Sequence, residues 1–149
     1  MRNAQVARLS DLPIVVTVRE VMEKAVPIDS KQTASQAVEK MIQADAWSLL
    51  VERQGLPVGV LTDRDILIRC TAKGHHPERV KVEEIMSSPI ITIEPDVRAG
   101  KALQTMVEKK VRRLYVVEEG KIIGRVTQTG LSRNLLDAMK ELTSIGQQM

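Results

Sequence analysis

The sequence matches itself. With an offset of 65, Val26–Ile66 aligns on Ile91–Leu131 without a gap, and nine of the 41 positions are identical. The identical pairs are Ile28/Ile93, Ala34/Ala99, Ala37/Ala102, Met41/Met106, Leu49/Leu114, Val51/Val116, Gly55/Gly120, Gly59/Gly124 and Thr62/Thr127. Just upstream, Val21-Met22 matches Ile85-Met86 at offset 64, so one residue was gained or lost in a turn. A chain of 149 residues that carries two copies of one unit has to bury the apolar faces of both in a shared plan. We expect an N-terminal extension over residues 1–16, repeats over 17–79 and 80–143, and a short tail over 144–149.

Each copy reads in the same order. A short amphipathic helix (Val18–Glu23; Val82–Met86) precedes a short strand (Val26–Ile28; Ile90–Ile93). Ala34, Ala37, Val38, Met41 and Ile42 then fall at helical spacing, as do Ala99, Ala102, Leu103, Met106 and Val107. Two strands follow, Ser48–Glu52 with Val58–Thr62, and Leu114–Val117 with Lys121–Thr127. Their connections are polar and bear Gly55 and Gly120, as hairpins require. The copies close on helices over Asp63–Ala72, stopped by Gly74 and Pro77, and over about Leu131–Leu142. The pattern is an α/β (α+β) fold of two β-α-β-β-α repeats laid face to face.

Composition narrows the function classes. One cysteine, Cys70, allows neither an intrachain disulfide nor a cysteine-based zinc site. The apolar stretch Leu12–Val16 is too short for a membrane span and lacks the pattern of a signal peptide, so a soluble cytoplasmic protein is expected. The net charge of +3 is spread thinly apart from Lys109, Lys110, Arg112 and Arg113. With Trp47 and Tyr115 as the only aromatics, nucleic-acid binding is a lesser alternative. No catalytic triad, metal constellation or phosphate-cradling glycine loop appears, and no enzymatic activity is expected.

The first copy ends in Gly59-Val60-Leu61-Thr62-Asp63-Arg64-Asp65-Ile66, a strand running into a helix. Thr62 and Asp65 have the spacing of a capping box. The same turn has a second reading. A helix start offers N–H groups to phosphate, and a carboxylate beside it can accept hydrogen bonds from both hydroxyls of a ribose.

Taken together, these marks resemble a pair of CBS (cystathionine-β-synthase) domains, the tandem called a Bateman module. The resemblance runs from about Val18 to Leu142. It rests on Val21-Met22 and Ile85-Met86, on Arg113-Leu114-Tyr115-Val116-Val117, and on Gly59-x-x-Thr62-x-x-Asp65. It implies a regulatory module that senses an adenosine-containing ligand (AMP, ADP, ATP or S-adenosylmethionine) in clefts between the repeats. Carried over by position, the Thr62/Asp65 cleft would be lined by Pro89, Ile91 and Val111 around the purine. Arg112 and Arg113 would reach phosphate oxygens, with Arg64 as a helper. A second, weaker cleft would draw on Val26, Trp47 and Thr127. There the position of Asp65 is taken by Gly130, which removes a charge-assisted bond worth about 1.5–3 kcal/mol. Tyr115 stands where the family usually has proline, which we read as packing or cleft shaping.

Other residues read as structural. His75-His76 occupy a turn and lack a third metal ligand, Cys70 is expected to be a buried thiol, and Trp47 to be core or cleft wall. Met41, Ile42, Met106 and Val107 are expected on apolar helix faces left outside the core, so a homodimer is expected, with an unidentified regulated protein as a further partner. A ligand-free dimerisation scaffold is the alternative, in which Thr62 and Asp65 only cap a helix.

Overall fold

The structure is a computed structural model that describes residues 16–147. The expected extension over residues 1–16 lies, but for Val16, outside the described residues. The chain forms α1 (Val18–Val21), β1 (Pro27–Asp29), α2 (Ala34–Ala44), β2 (Ser48–Arg53), β3 (Leu56–Thr62), α3 (Asp63–Ile66), α4 (Val82–Ile85), β4 (Thr92–Ile93), α5 (Ala99–Lys109), β5 (Arg113–Glu118), β6 (Lys121–Thr127) and α6 (Gln128–Gln147). Two three-stranded sheets, β1-β2-β3 and β4-β5-β6, carry the mixed α+β fold.

The sequence repeat and the compact unit are different divisions of the chain. One unit is Ala25–Ile91, so it includes α4; the other joins the segment before Ala25, with α1, to everything from Thr92 onward. The reason is visible in the backbone. Ala34 N–H donates to Val80 O at 2.8 Å and Val82 N–H to Gln32 O at 2.8 Å, which pins α4 beside the start of α2. At the equivalent positions Ala99 N–H donates to Val16 O at 2.7 Å and Val18 N–H to Val97 O at 2.8 Å, which pins α1 beside the start of α5.

In the Ala25–Ile91 unit β1 runs parallel to β2, and β2 antiparallel to β3. Alternating residues of β2 and β3 and one face of α2 close a core of Ile28, Ala34, Ala37, Met41, Leu49, Val51 and Leu61, to which α4 adds Val82 and Ile85. The other unit repeats the plan, with Val18, Ala99, Ala102, Met106, Leu114, Val116, Val126 and Leu131 buried. Met41 and Met106 therefore belong to cores, contrary to their expected place on outer faces. Their neighbours Ile42 and Val107 are the exposed ones, at 63% and 71%. A step of one residue turns a helix by about 100°, enough to reverse the side chain's surroundings.

The hairpin connections are short. Arg53 pairs with Leu56 and Glu118 with Lys121, which leaves two-residue turns, Gln54-Gly55 and Glu119-Gly120. All four turn residues have positive φ (52° and 77°; 51° and 75°), the backbone of a type I′ turn, and glycine supplies the second position of each. The helix after β3 is also not uniform. It widens after Ile66 into a π-helical turn, Leu67–Thr71, in which Ala72 N–H donates to Leu67 O at 2.8 Å. The last helix begins at Gln128 and continues to Gln147, so it takes in Gly130 and much of the expected tail.

Candidate functional site

The turn from β3 into α3 holds the carboxylate singled out by the sequence. Thr62 has extended backbone (φ −108°, ψ 162°) and caps the helix. Asp65 N–H donates to Thr62 Oγ1 at 3.2 Å, and Thr62 N–H donates to Asp65 Oδ2 at 2.9 Å, so the capping box is complete. Asp65 is only 8% exposed. Its other oxygen, Oδ1, accepts a hydrogen bond from Ser87 Oγ at 2.9 Å.

Ser87 was not singled out in the sequence, and it is the third member of this site. It follows Met86 and lies beside β3, where Ser87 N–H donates to Val60 O at 2.8 Å and Val60 N–H to Ser87 O at 2.9 Å. This close approach needs a glycine next door. A Cβ on Gly59 would stand 2.8 Å from Ser87 O and 2.8 Å from Met86 Sδ. The repeat contained a usable signal. Gly59, Met86 and Ser87 answer to Gly124, Met22 and Glu23 in the other copy, and a Cβ on Gly124 would stand 2.9 Å from Glu23 O and 3.1 Å from Met22 Sδ.

In the second copy the backbone bridge is kept and the polar chemistry is replaced. Glu23 and Arg125 exchange main-chain hydrogen bonds of 2.9 Å in both directions. The Arg125 side chain, 6% exposed, pairs with Glu23 Oε1 at 3.1 Å. Gly130 N–H still donates to Thr127 Oγ1 at 3.1 Å, but no carboxylate returns to the N-cap. The turn at Asp65 thus holds an oriented carboxyl group, and the turn at Gly130 does not.

The remaining expected site residues divide between the units. Pro89 (exposed) and Ile91 (half-buried) share the Ala25–Ile91 unit with Thr62, Asp65, Val26 and Trp47. Val111, Arg112, Arg113 and Thr127 belong to the other unit. Arg64 is exposed, and its N–H donates to Asp63 Oδ1 at 2.9 Å. Trp47 precedes β2 and is 45% exposed, so of the two places expected for it, core and cleft wall, the core is excluded. Its carbonyl accepts from Asp63 N–H at 3.3 Å, which sets it beside the Thr62–Asp65 turn. Arg112 occupies the same place in its own unit, where its carbonyl accepts from Gln128 N–H at 2.8 Å. Tyr115 and Cys70 are buried, at 2% and 0%, and Cys70 Sγ lies 3.6 Å from His75 O. Among the described residues no helix is long and apolar enough to cross a membrane.

Chemically, an ionised carboxylate offers about four lone-pair directions. The N-cap N–H and the Ser87 hydroxyl use two of them, so Asp65 is oriented without being exhausted as an acceptor.

Comparison with known proteins agrees with the repeat and the fold. The family model described as the CBS domain matches twice, at residues 18–71 and 82–137. An uncharacterized protein of Methanopyrus kandleri is 37% identical over 115 residues, 75% of this chain. The chain spans 59% of that relative's length. The CBS domain-containing protein YhcV of Bacillus subtilis is 32% identical over 124 residues, covering 81% of this chain and 88% of that protein. The crystal structure of an uncharacterized conserved protein from Pyrococcus horikoshii superposes with a TM-score of 0.77 at 27% identity, over 83% of this chain and 94% of that one. CBS pairs are generally regulatory modules rather than catalytic ones, and they commonly bind adenine nucleotides or S-adenosylmethionine and form oligomers. Two matched domains, a relative that covers most of the chain and the shared fold make this protein a member of the CBS-domain family.

Proposed function

We propose that the chain is a regulatory module that binds one adenosine-containing ligand (AMP, ADP, ATP or S-adenosylmethionine) at the Thr62–Asp65 turn and passes the resulting change to a partner. The observation that carries this reading is the state of Asp65: a carboxylate 8% exposed, held by Thr62 N–H and Ser87 Oγ, with acceptor capacity left over. A ribose diol matches that remaining capacity. Pro89, Ile91 and Val111 enter the reading as the purine contacts, and Arg112 and Arg113 as the phosphate contacts, that family membership suggests. The Gly130 turn offers no carboxylate, so Val26, Trp47 and Thr127 are assigned at most a weaker site.

A thermal-shift panel of AMP, ADP, ATP, S-adenosylmethionine and NAD tests the ligand class. A ligand at 100 times its dissociation constant stabilises the fold by about 2.7 kcal/mol. The reading requires that one adenosine ligand raise the melting temperature and that Asp65→Ala abolish the response. Arg112→Ala and Arg113→Ala should weaken the phosphorylated ligands more than adenosine.

A ligand-free homodimerisation scaffold is the second reading. It is favoured by the fact that Asp65 already has two partners within its own unit, and by exposed Leu136 (57%) and Met139 (46%) on α6. On that reading the panel is silent, and light scattering gives twice the 16.6 kDa chain mass.

A further inference from the structure

The Ala25–Ile91 unit carries an open cavity of about 730 Å³ that does not include Thr62 or Asp65. Its charged lining is Arg69, Lys73 and Arg79 with Glu84, and Val80 and Ile85 line it as well. The walls are built from fixed backbone. Arg69 lies in the π-helical turn Leu67–Thr71, and its Nη1 donates to Met86 O at 2.7 Å and Ile85 O at 3.2 Å. That leaves Nε and Nη2 without those carbonyls as partners. The chain then turns through Gly74 (φ 72°), with His75 N–H on Cys70 O at 3.1 Å and Arg79 N–H on His76 O at 2.9 Å.

Three cations against one carboxylate leave the recess two net positive charges. Glu84 is engaged at the start of α4, where its Oε2 accepts from Lys81 N–H at 2.6 Å. Among the described residues neither Lys73 nor Arg79 forms an ion pair. Three cations thus converge on one recess whose only carboxylate is bound to backbone. His75 and His76 of the lining add ring nitrogens that can donate to an anion.

We propose that this cavity is a separate binding site for a small molecule bearing a phosphate group. One phosphate group carries about −1.5 to −2 charge near neutral pH, which matches the two net positive charges of the lining. The volume falls in the range of small-molecule pockets and leaves room for the rest of the molecule. Val80 and Ile85 supply an apolar surface for the rest of the molecule. A π-helical insertion at the wall fits this role, since such insertions concentrate at functional sites. The proposal does not rest on nucleotide binding at Asp65.

Inorganic phosphate is the probe, titrated calorimetrically into the full chain. We expect saturable binding, weakened about tenfold by Lys73→Ala and by Arg79→Ala, each of which removes one charge-assisted contact. Asp65→Ala should leave phosphate affinity unchanged. In amide NMR spectra the moving signals should be those of residues 69–79 and Glu84. Lys73 and Arg79 are exposed, and unchanged far-ultraviolet spectra of the variants exclude misfolding as the cause. Absence of saturable binding overturns the proposal. So does a loss confined to Asp65→Ala with Lys73 and Arg79 indifferent, which would put the anion at the other site.

Discussion

Replacing Gly59 by alanine tests the close approach on which the candidate site is built. The new methyl would lie 2.8 Å from Ser87 O and 2.8 Å from Met86 Sδ. The thioether can swing aside at little cost. The carbonyl cannot, because Ser87 is tied to Val60 by hydrogen bonds of 2.8 and 2.9 Å. Relief therefore requires the segment to move off β3, with overpacking strain of about 1–3 kcal/mol and the weakening of a hydrogen bond worth about 1 kcal/mol. Alanine in a strand regains about 0.5–1 kcal/mol over glycine. The net loss is about 1–3.5 kcal/mol, or about 2–14 °C in melting temperature for a chain of this size. Thermal unfolding followed by circular dichroism measures it. Because the displaced segment carries Ser87, nucleotide affinity should fall in the same variant. Gly124→Ala, with contacts of 2.9 and 3.1 Å, should show a somewhat smaller loss. A Gly59→Ala protein that melts at or above the wild-type temperature would refute the argument.

The capping box can be installed in the second copy. Gly130→Asp replaces a helical glycine and restores a carboxylate at the third helical position, and should stabilise by about 1 kcal/mol in denaturant titrations. A Cβ there would lie 3.1 Å from Thr127 Oγ1, but Asp65 carries its own Cβ while bonding Thr62 at 3.2 Å, so the geometry accepts one. Ser87→Ala should cost about 1 kcal/mol, and its coupling to Asp65→Ala in a double-mutant cycle should be measurable. Acid should destabilise the fold through two carboxylates held below their usual range. Lys31, and secondarily Arg53, lowers Glu83, and Arg19 lowers Glu118. A depressed folded-state pKa contributes stability above the ordinary value of 4.5 that is lost as pH falls through the folded value. Melting temperature should thus decline below about pH 4.5, and less steeply in Lys31→Met and Arg19→Met.

Local chemistry was legible in the sequence wherever the answer depends on neighbours along the chain. Thr62 and Asp65 are three residues apart and form the capping box their spacing implies. The paired identities Leu49/Leu114, Val51/Val116 and Ala37/Ala102 are all buried, because one fold places both copies alike. What stayed hidden depends on distant parts of the chain. Ser87 meets Asp65 across 22 residues, and nothing local to either marks the other. The short helices α1 and α4 were readable as helices, but their amphipathic pattern does not say which sheet they join. Only the main-chain bonds at Val16, Val18, Val80 and Val82 do. The place of Trp47 near a strand did not decide between core and cleft wall, and it lies outside the core, before β2, with 45% of its surface exposed.

The central claim is that Asp65 makes one of the two repeats a nucleotide site and Gly130 leaves the other without one. Isothermal titration of ATP and AMP into the wild-type chain, Asp65→Ala and Gly130→Asp measures this directly, with the matching 2′-deoxy ligand as a sugar control. The account predicts one tight site per chain, abolished by Asp65→Ala and much weakened by removal of the 2′-hydroxyl. Two equivalent tight sites, or affinity unchanged in Asp65→Ala, would contradict it.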